Sequence, residues 1–236
     1  MNDNPIAGLS ALLDAMATPS SGKGRVRISE ADLQDRLAYY QDTTGIKITD
    51  EYAEAARAIF CEIRNVFLTG GAGVGKTTFV KHVVIPELDN RGLNHAVTAS
   101  TGIAGSQLDG KTLHSWSGVG LGPMFTSHGT PPADMTDEEL NAVYDRTFEE
   151  WENNPKMRAM RDGIRRRMKG TEVLLIDEVS MCNGNAFLGY IDYFLKRTRG
   201  NEKPFGGIQL IFVGSEVSSV ETFSYPAPQS DTNDTP

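Results

Sequence analysis

Eight residues constrain this chain more than any other stretch: Gly70-Gly71-Ala72-Gly73-Val74-Gly75-Lys76-Thr77. They follow the apolar run Asn65-Val66-Phe67-Leu68-Thr69, which reads as a buried strand. They precede Thr78-Phe79-Val80-Lys81-His82-Val83-Val84, which has the apolar spacing of a helix. Glycines here let backbone N–H groups turn inward around phosphate oxygens, and the N-terminus of the following helix adds partial positive charge. In a phosphate-binding loop of this pattern the lysine, Lys76, reaches the β- and γ-phosphates and the Thr77 hydroxyl ligates Mg²⁺. The spacing predicts a nucleoside triphosphate site made by Gly70, Gly71, Ala72, Gly73, Val74, Gly75, Lys76, Thr77 and Thr78. A glycine-rich turn without a ligand is the alternative, and the strand and helix on either side speak against it.

The second signal is Thr171-Glu172-Val173-Leu174-Leu175-Ile176-Asp177-Glu178, in which consecutive apolar residues, as in a strand covered on both faces, end in two carboxylates. In P-loop nucleoside triphosphatases such a strand sets an Asp opposite the loop to help hold Mg²⁺, so Asp177 joins Thr77 as a metal-ligand candidate. Glu178 is then placed to take a proton from an attacking water, which makes Lys76 and Glu178 the catalytic candidates. Further strands are expected at His95-Ala96-Val97-Thr98-Ala99 and within Gly207 to Gly214. Helices are expected between them, starting near Thr136 and Pro155 and from Ala186 to Thr198. Strands alternating with helices predict an α/β fold: a P-loop NTPase with a doubly wound, mostly parallel sheet, helices on both faces, and its ligand outside the strand carboxyl ends.

Residues 1–28 have a flexible composition and read as a disordered leader. Residues 29–214 read as the P-loop domain, with a helical lead-in over 29–64 that starts at Ser29 and again near Thr49. Residues 215–236, rich in Ser, Thr, Pro and Asp and without Lys or Arg, read as a disordered tail. Pro86 and the turn Asp89-Asn90-Arg91-Gly92 are expected to separate the P-loop helix from the second strand. No apolar run reaches membrane-spanning length and no basic region precedes a secretory signal, so the expectation is an intracellular protein with no membrane partner. Cys61 and Cys182 are far apart and lack metal-ligand spacing. The net charge of −8 argues against coating nucleic acid by bulk charge. The run Lys156, Arg158, Arg161, Arg165, Arg166, Arg167 and Lys169 nonetheless gives one basic segment, which taken alone reads as a solvated helix face.

Several segments together resemble one family. The P-loop matches its motif I, Thr98 to Ala104 looks like motif Ia, and Thr112-Leu113-His114-Ser115-Trp116 looks like the segment after it. Ile176 to Met181 matches motif II, and Lys203 to Leu210 looks like the stretch before motif III. Residues 49–214 are similar in this way to the PIF helicases, the 5′-to-3′ DNA helicases of superfamily 1. The resemblance implies a RecA-like motor domain that uses ATP and Mg²⁺ to move on single-stranded DNA, with Thr101 and His114 at the DNA backbone. Taken alone, His114 reads as a packed histidine and Trp116 as core. Two departures stand out: Tyr52 occupies the position of the family's adenine-recognising Gln, and Ser215-Glu216-Val217 replaces the Asp and Gln that continue motif III. Full activity then needs a second RecA-like domain in cis or trans, and the change of character after Gly214 looks like a truncated or frameshifted gene. Three readings stay open: a helicase motor domain, a fragment that binds nucleotide and DNA without turnover, and an unrelated P-loop ATPase.

Overall fold

The computed structural model describes residues 27–118, 136–182 and 187–214. Apart from residues 27 and 28, the expected leader lies outside these residues, as do Val119 to Pro132, Ala186 and the expected tail.

The lead-in consists of two capped helices. The Ser29 hydroxyl accepts the Asp32 N–H and starts α1 (Glu30–Thr44), which Gly45 ends in the left-handed conformation at φ 71. Thr49 accepts the Tyr52 N–H and starts α2 (Asp50–Phe60), whose buried Ala56, Ile59 and Phe60 lie on one side. Strand β1 (Val66–Leu68) then runs into the glycine loop, and α3 (Lys76–Phe79) leaves it. Here the structure corrects one expectation, because Pro86 does not end this helix. A π turn over Val80–Val84 shifts the ladder so that the Ile85 N–H bonds to the Val80 carbonyl, and α4 (Ile85–Asn90) begins with the proline in its first turn. A proline is tolerated in a first turn because its missing donor has no intrahelical partner there. Glu87 on α4 is buried and accepts both Arg36 Nε and the Tyr40 hydroxyl at 2.9 Å, which ties the lead-in to the P-loop helix. Burial pushes the Tyr40 hydroxyl up to about 12.

Five strands form one sheet in the order β1-β5-β4-β2-β3, and every neighbouring pair is parallel. They are β1, β2 (His95–Ala99), β3 (Lys111–Thr112), β4 (Val173–Asp177) and β5 (Gln209–Val213). Strands β4 and β5 are buried throughout, as continuous apolar runs in a covered parallel sheet should be. Their alternate side chains feed two separate cores. Val173, Leu175, Ile211 and Val213 pack with α1, α2 and the P-loop helix, whereas Leu174, Ile176, Leu210 and Phe212 pack on the other face. That second face is covered by α6 (Leu113–Ser117), α7 (Asp137–Asn153), α8 (Arg158–Gly170) and α9 (Gly189–Arg199). The capping box at Thr136 forms as expected, with Glu139 bonded back to the Thr136 N–H. Strand β3 was not anticipated, since two residues are too few to show a period. The remaining helix, α5 (Gly102–Gln107), follows β2.

Candidate functional site

The glycine loop closes between β1 and α3 with Gly70, Gly73 and Gly75 at φ 147, 79 and 95, a region that favours residues without a Cβ. Lys76 Nζ donates to the Gly70 and Gly71 carbonyls at 2.6 and 2.9 Å, so the ammonium lies against the loop it belongs to. Tyr52, three residues into α2, reaches across and donates its hydroxyl to the Val74 carbonyl at 2.9 Å. Its ring stacks on Phe79 of α3, with centroids 4.4 Å apart and planes 6° from parallel.

The loop meets β4 through two oxygens: Thr77 Oγ1 lies 3.5 Å from Asp177 Oδ2. Asp177 is 2 % exposed. Burial raises its carboxyl above the usual range, an effect that the hydrogen bonds from the Glu178 N–H and Thr77 and the charge of Lys76 oppose. A hydroxyl and a buried carboxylate are hard oxygen donors suited to Mg²⁺, which normally takes one or two protein ligands and fills the rest of its shell with water and phosphate oxygens. No cluster of three His, Cys, Asp or Glu able to cage a metal occurs among the described residues. Immediately after Asp177 the backbone turns: Glu178 takes the left-handed conformation at φ 53 and ψ 39, and its N–H bonds to Asp177 Oδ1 at 2.9 Å. A short 3₁₀ turn, Val179–Met181, follows.

The strand register fixes where the other candidates stand. Ala99 of β2 pairs with both Asp177 of β4 and Thr112 of β3, so these strand ends are level. Thr101 and His114 therefore follow the carboxyl ends of neighbouring strands on the same sheet edge as Asp177, displaced away from β1. Thr101 caps α5 by accepting the Ala104 N–H at 3.3 Å, and Thr112 caps α6 in the same way. His114 is half-buried and stacked on Phe187 with centroids 3.7 Å apart; burial lowers its pKa. Trp116 is 3 % exposed and belongs to the core, so it offers no stacking platform in this structure. The structure thus gathers Lys76, Thr77, Asp177 and Glu178 into one place and sets Thr101 and His114 further along the edge. The bond from Tyr52 to the loop was not foreseen: nothing local to Tyr52 points to a carbonyl twenty-two residues away.

The sequence pattern of the AAA domain family matches residues 53–223. The chain belongs to that family. Among curated proteins it is 37 % identical over 151 residues to the ATP-dependent DNA helicase Pif1 of Psychrobacter sp., a match covering 64 % of this chain and 19 % of the relative. To the ATP-dependent DNA helicase RRM3 of Saccharomyces cerevisiae it is 31 % identical over 181 residues, covering 76 % and 21 %. The chain therefore spans about a fifth of the length of these curated relatives. The crystal structure of the Pif1 helicase from Candida albicans superposes with a TM-score of 0.54 at 30 % identity, over 72 % of this chain and 32 % of that one. The resemblance to the PIF helicases read from the motifs holds, and so does the α/β P-loop fold expected from the alternation of elements. No helix among the described residues is long and apolar enough to cross a membrane.

Proposed function

We propose that this chain is the first motor domain of a PIF-type DNA helicase, binding ATP with Mg²⁺ and hydrolysing it in response to single-stranded DNA. The observation that carries this reading is the approach of the Thr77 hydroxyl to the buried Asp177 carboxylate, 3.5 Å apart beside a glycine loop, in a chain similar to ATP-dependent DNA helicases. The backbone of Gly70 to Gly75 and the start of α3, with Thr78, surround the phosphates. Lys76 exchanges its loop carbonyls for the β- and γ-phosphates. Thr77 and Asp177 hold Mg²⁺, which when bound neutralises charge on the phosphate oxygens. Glu178, turned out of the strand line by its left-handed backbone, accepts the proton of the attacking water. Positioning and electrostatics supply most of the acceleration.

Single-stranded DNA lies along the β2 and β3 end of the same edge, where Thr101 and His114 approach the backbone without reading sequence. Residues 29–214 make up the ATPase domain, with 29–64 as its lead-in, and a second RecA-like domain in cis or trans completes the motor. The deciding experiment measures ATP turnover with and without single-stranded DNA in the wild type, Lys76→Ala and Glu178→Gln. DNA-stimulated turnover that is lost in both variants supports the proposal. Tight ATP binding without turnover favours a binding fragment, and turnover indifferent to DNA points to a P-loop ATPase of another kind.

A further inference from the structure

Beside the glycine loop a cleft of about 540 Å³ opens between α2 and β1, with Tyr52, Val74 and Lys76 among the residues that line it. Its volume is within the range of small-ligand sites. With phosphates held by the loop, this cleft is the space the adjoining wall leaves for the sugar and base. From its polar groups and their partners, we infer that the site accepts nucleoside triphosphates without discriminating among their bases. This rests on the nucleotide-binding reading above and adds to it a substrate class.

A pocket tells one base from another when fixed donors and acceptors meet the base edge and are left unpaired by the wrong one. The polar side chains of this wall are either engaged elsewhere or set no fixed pattern of donors and acceptors. The Tyr52 hydroxyl gives its one proton to the Val74 carbonyl, and stacking on Phe79 holds the ring there. The Thr49 hydroxyl caps α2. Asn65 Oδ1 accepts the Leu210 N–H at 2.8 Å, and Arg64 is an exposed side chain in a surface ion pair with Glu62, which fixes no geometry toward a base. The Glu51 carboxylate is bonded to Thr49 and to its own N–H, and Glu54 is an exposed carboxylate on a long side chain, which sets no fixed geometry. The rest of the wall is Ala55, Ala58, the side of β1, the outermost strand of the sheet among the described residues, and the exposed Thr69, whose rotatable hydroxyl can donate or accept and so favours no one base. An apolar wall stacks with any base, and a strand edge alternates N–H and C=O, so it can serve the edge of any base. Affinity then comes from the phosphate end. Tyr52 acts there as a positioning residue, holding the loop through the carbonyl of Val74 just before Gly75.

The test is displacement of a fluorescent ATP analogue from the whole chain by ATP, GTP, CTP and UTP in Mg²⁺, for the wild type and Tyr52→Phe, which keeps the ring stack. In the wild type the four dissociation constants should fall within about threefold of one another. Loss of one neutral hydrogen bond in Tyr52→Phe should weaken all four by a common factor of about 2 to 10. ATP binding more than tenfold tighter than CTP overturns the inference and leaves the nucleotide-binding reading intact. A change in the ATP-to-CTP ratio in Tyr52→Phe also overturns it, because the hydroxyl would then be reading the base. Binding of none of the four by the folded wild type removes the nucleotide reading and this inference with it. If Tyr52→Phe fails to fold, the wild-type comparison of the four nucleotides decides alone.

Discussion

Gly110→Ala should separate the two ends of the sheet edge. The backbone of Gly110 is not left-handed, so alanine brings only its Cβ and no backbone strain. That atom would lie 2.6 Å from the Val97 carbonyl oxygen and 2.9 Å from Val97 Cγ1. Ordinary contact begins near 3.4 Å, so β3 must retreat from β2 by about 0.8 Å. Overpacking of this kind costs about 1–3 kcal/mol. Among the described residues strand β3 pairs only through Thr98 with Lys111 and Ala99 with Thr112, and Thr112 caps the helix that carries His114. The retreat therefore displaces the proposed DNA contacts, whereas the glycine loop leaves β1 at the opposite edge of the sheet and reaches across to β4, which does not pair with β3. Urea denaturation should show the loss of about 1–3 kcal/mol, binding of labelled single-stranded DNA should weaken severalfold, and nucleotide affinity should stay within about twofold. Gly163→Ala is the control: it lies inside α8 with nothing within 4 Å of its Cβ position, and should stabilise by about 0.5–1 kcal/mol. Unchanged stability in Gly110→Ala, or nucleotide affinity falling as far as DNA affinity, would refute the reasoning.

Two further outcomes follow from contacts elsewhere in the domain. Arg199 donates to the carbonyls of Gly206 at 2.8 Å, Met168 at 2.5 Å, and Lys169 and Thr171 at 3.1 Å, so Arg199→Met should cost about 3 kcal/mol in urea unfolding by stranding several partly buried acceptors; a loss below about 1 kcal/mol would contradict it. Glu139 is held below the usual carboxylate range by its bonds from Thr136, so its contribution to α7 is present above the unfolded pKa and lost as pH falls through the lower folded value. The stability difference between wild type and Glu139→Gln should accordingly shrink on acidification below the ordinary glutamate pKa, and a difference independent of pH there would count against the cap.

The candidate site was legible as a cluster of residues because its parts are local or periodic. The glycine loop is a contiguous string, and Asp177 ends an unbroken apolar run whose burial on both faces places it in the interior of a parallel sheet. Two such strands, one followed by the glycine loop and one by acidic residues, leave few ways to assemble. Tyr52, Phe187 and β3 were not legible for the opposite reason. The Tyr52 hydroxyl meets a backbone carbonyl, which has no signature in sequence, and the Phe187 ring touches His114 only because α6 and α9 share one face of the sheet. Pro86 misled because a proline normally stops a helix, and the π turn that readmits it depends on register and not on residue type.

Backbone strain adds a step that sequence could not supply. Four non-glycine residues among those described have positive φ: Ile63, Asp109, Glu178 and Phe205. Each such conformation costs about 1–2 kcal/mol for an L-residue. Ile63, Asp109 and Phe205 stand shortly before β1, β3 and β5, where incoming chain must turn to enter a parallel sheet, and the fold itself explains them. Glu178 alone stands after a strand, at the carboxyl edge where the glycine loop, Thr77 and Asp177 meet. Its turn is held by its own N–H on the Asp177 carboxylate, so one buried acid both faces Thr77 and sets the direction in which the next carboxylate leaves the strand. Strain retained where the topology does not demand it is what a site that must aim a side chain would keep.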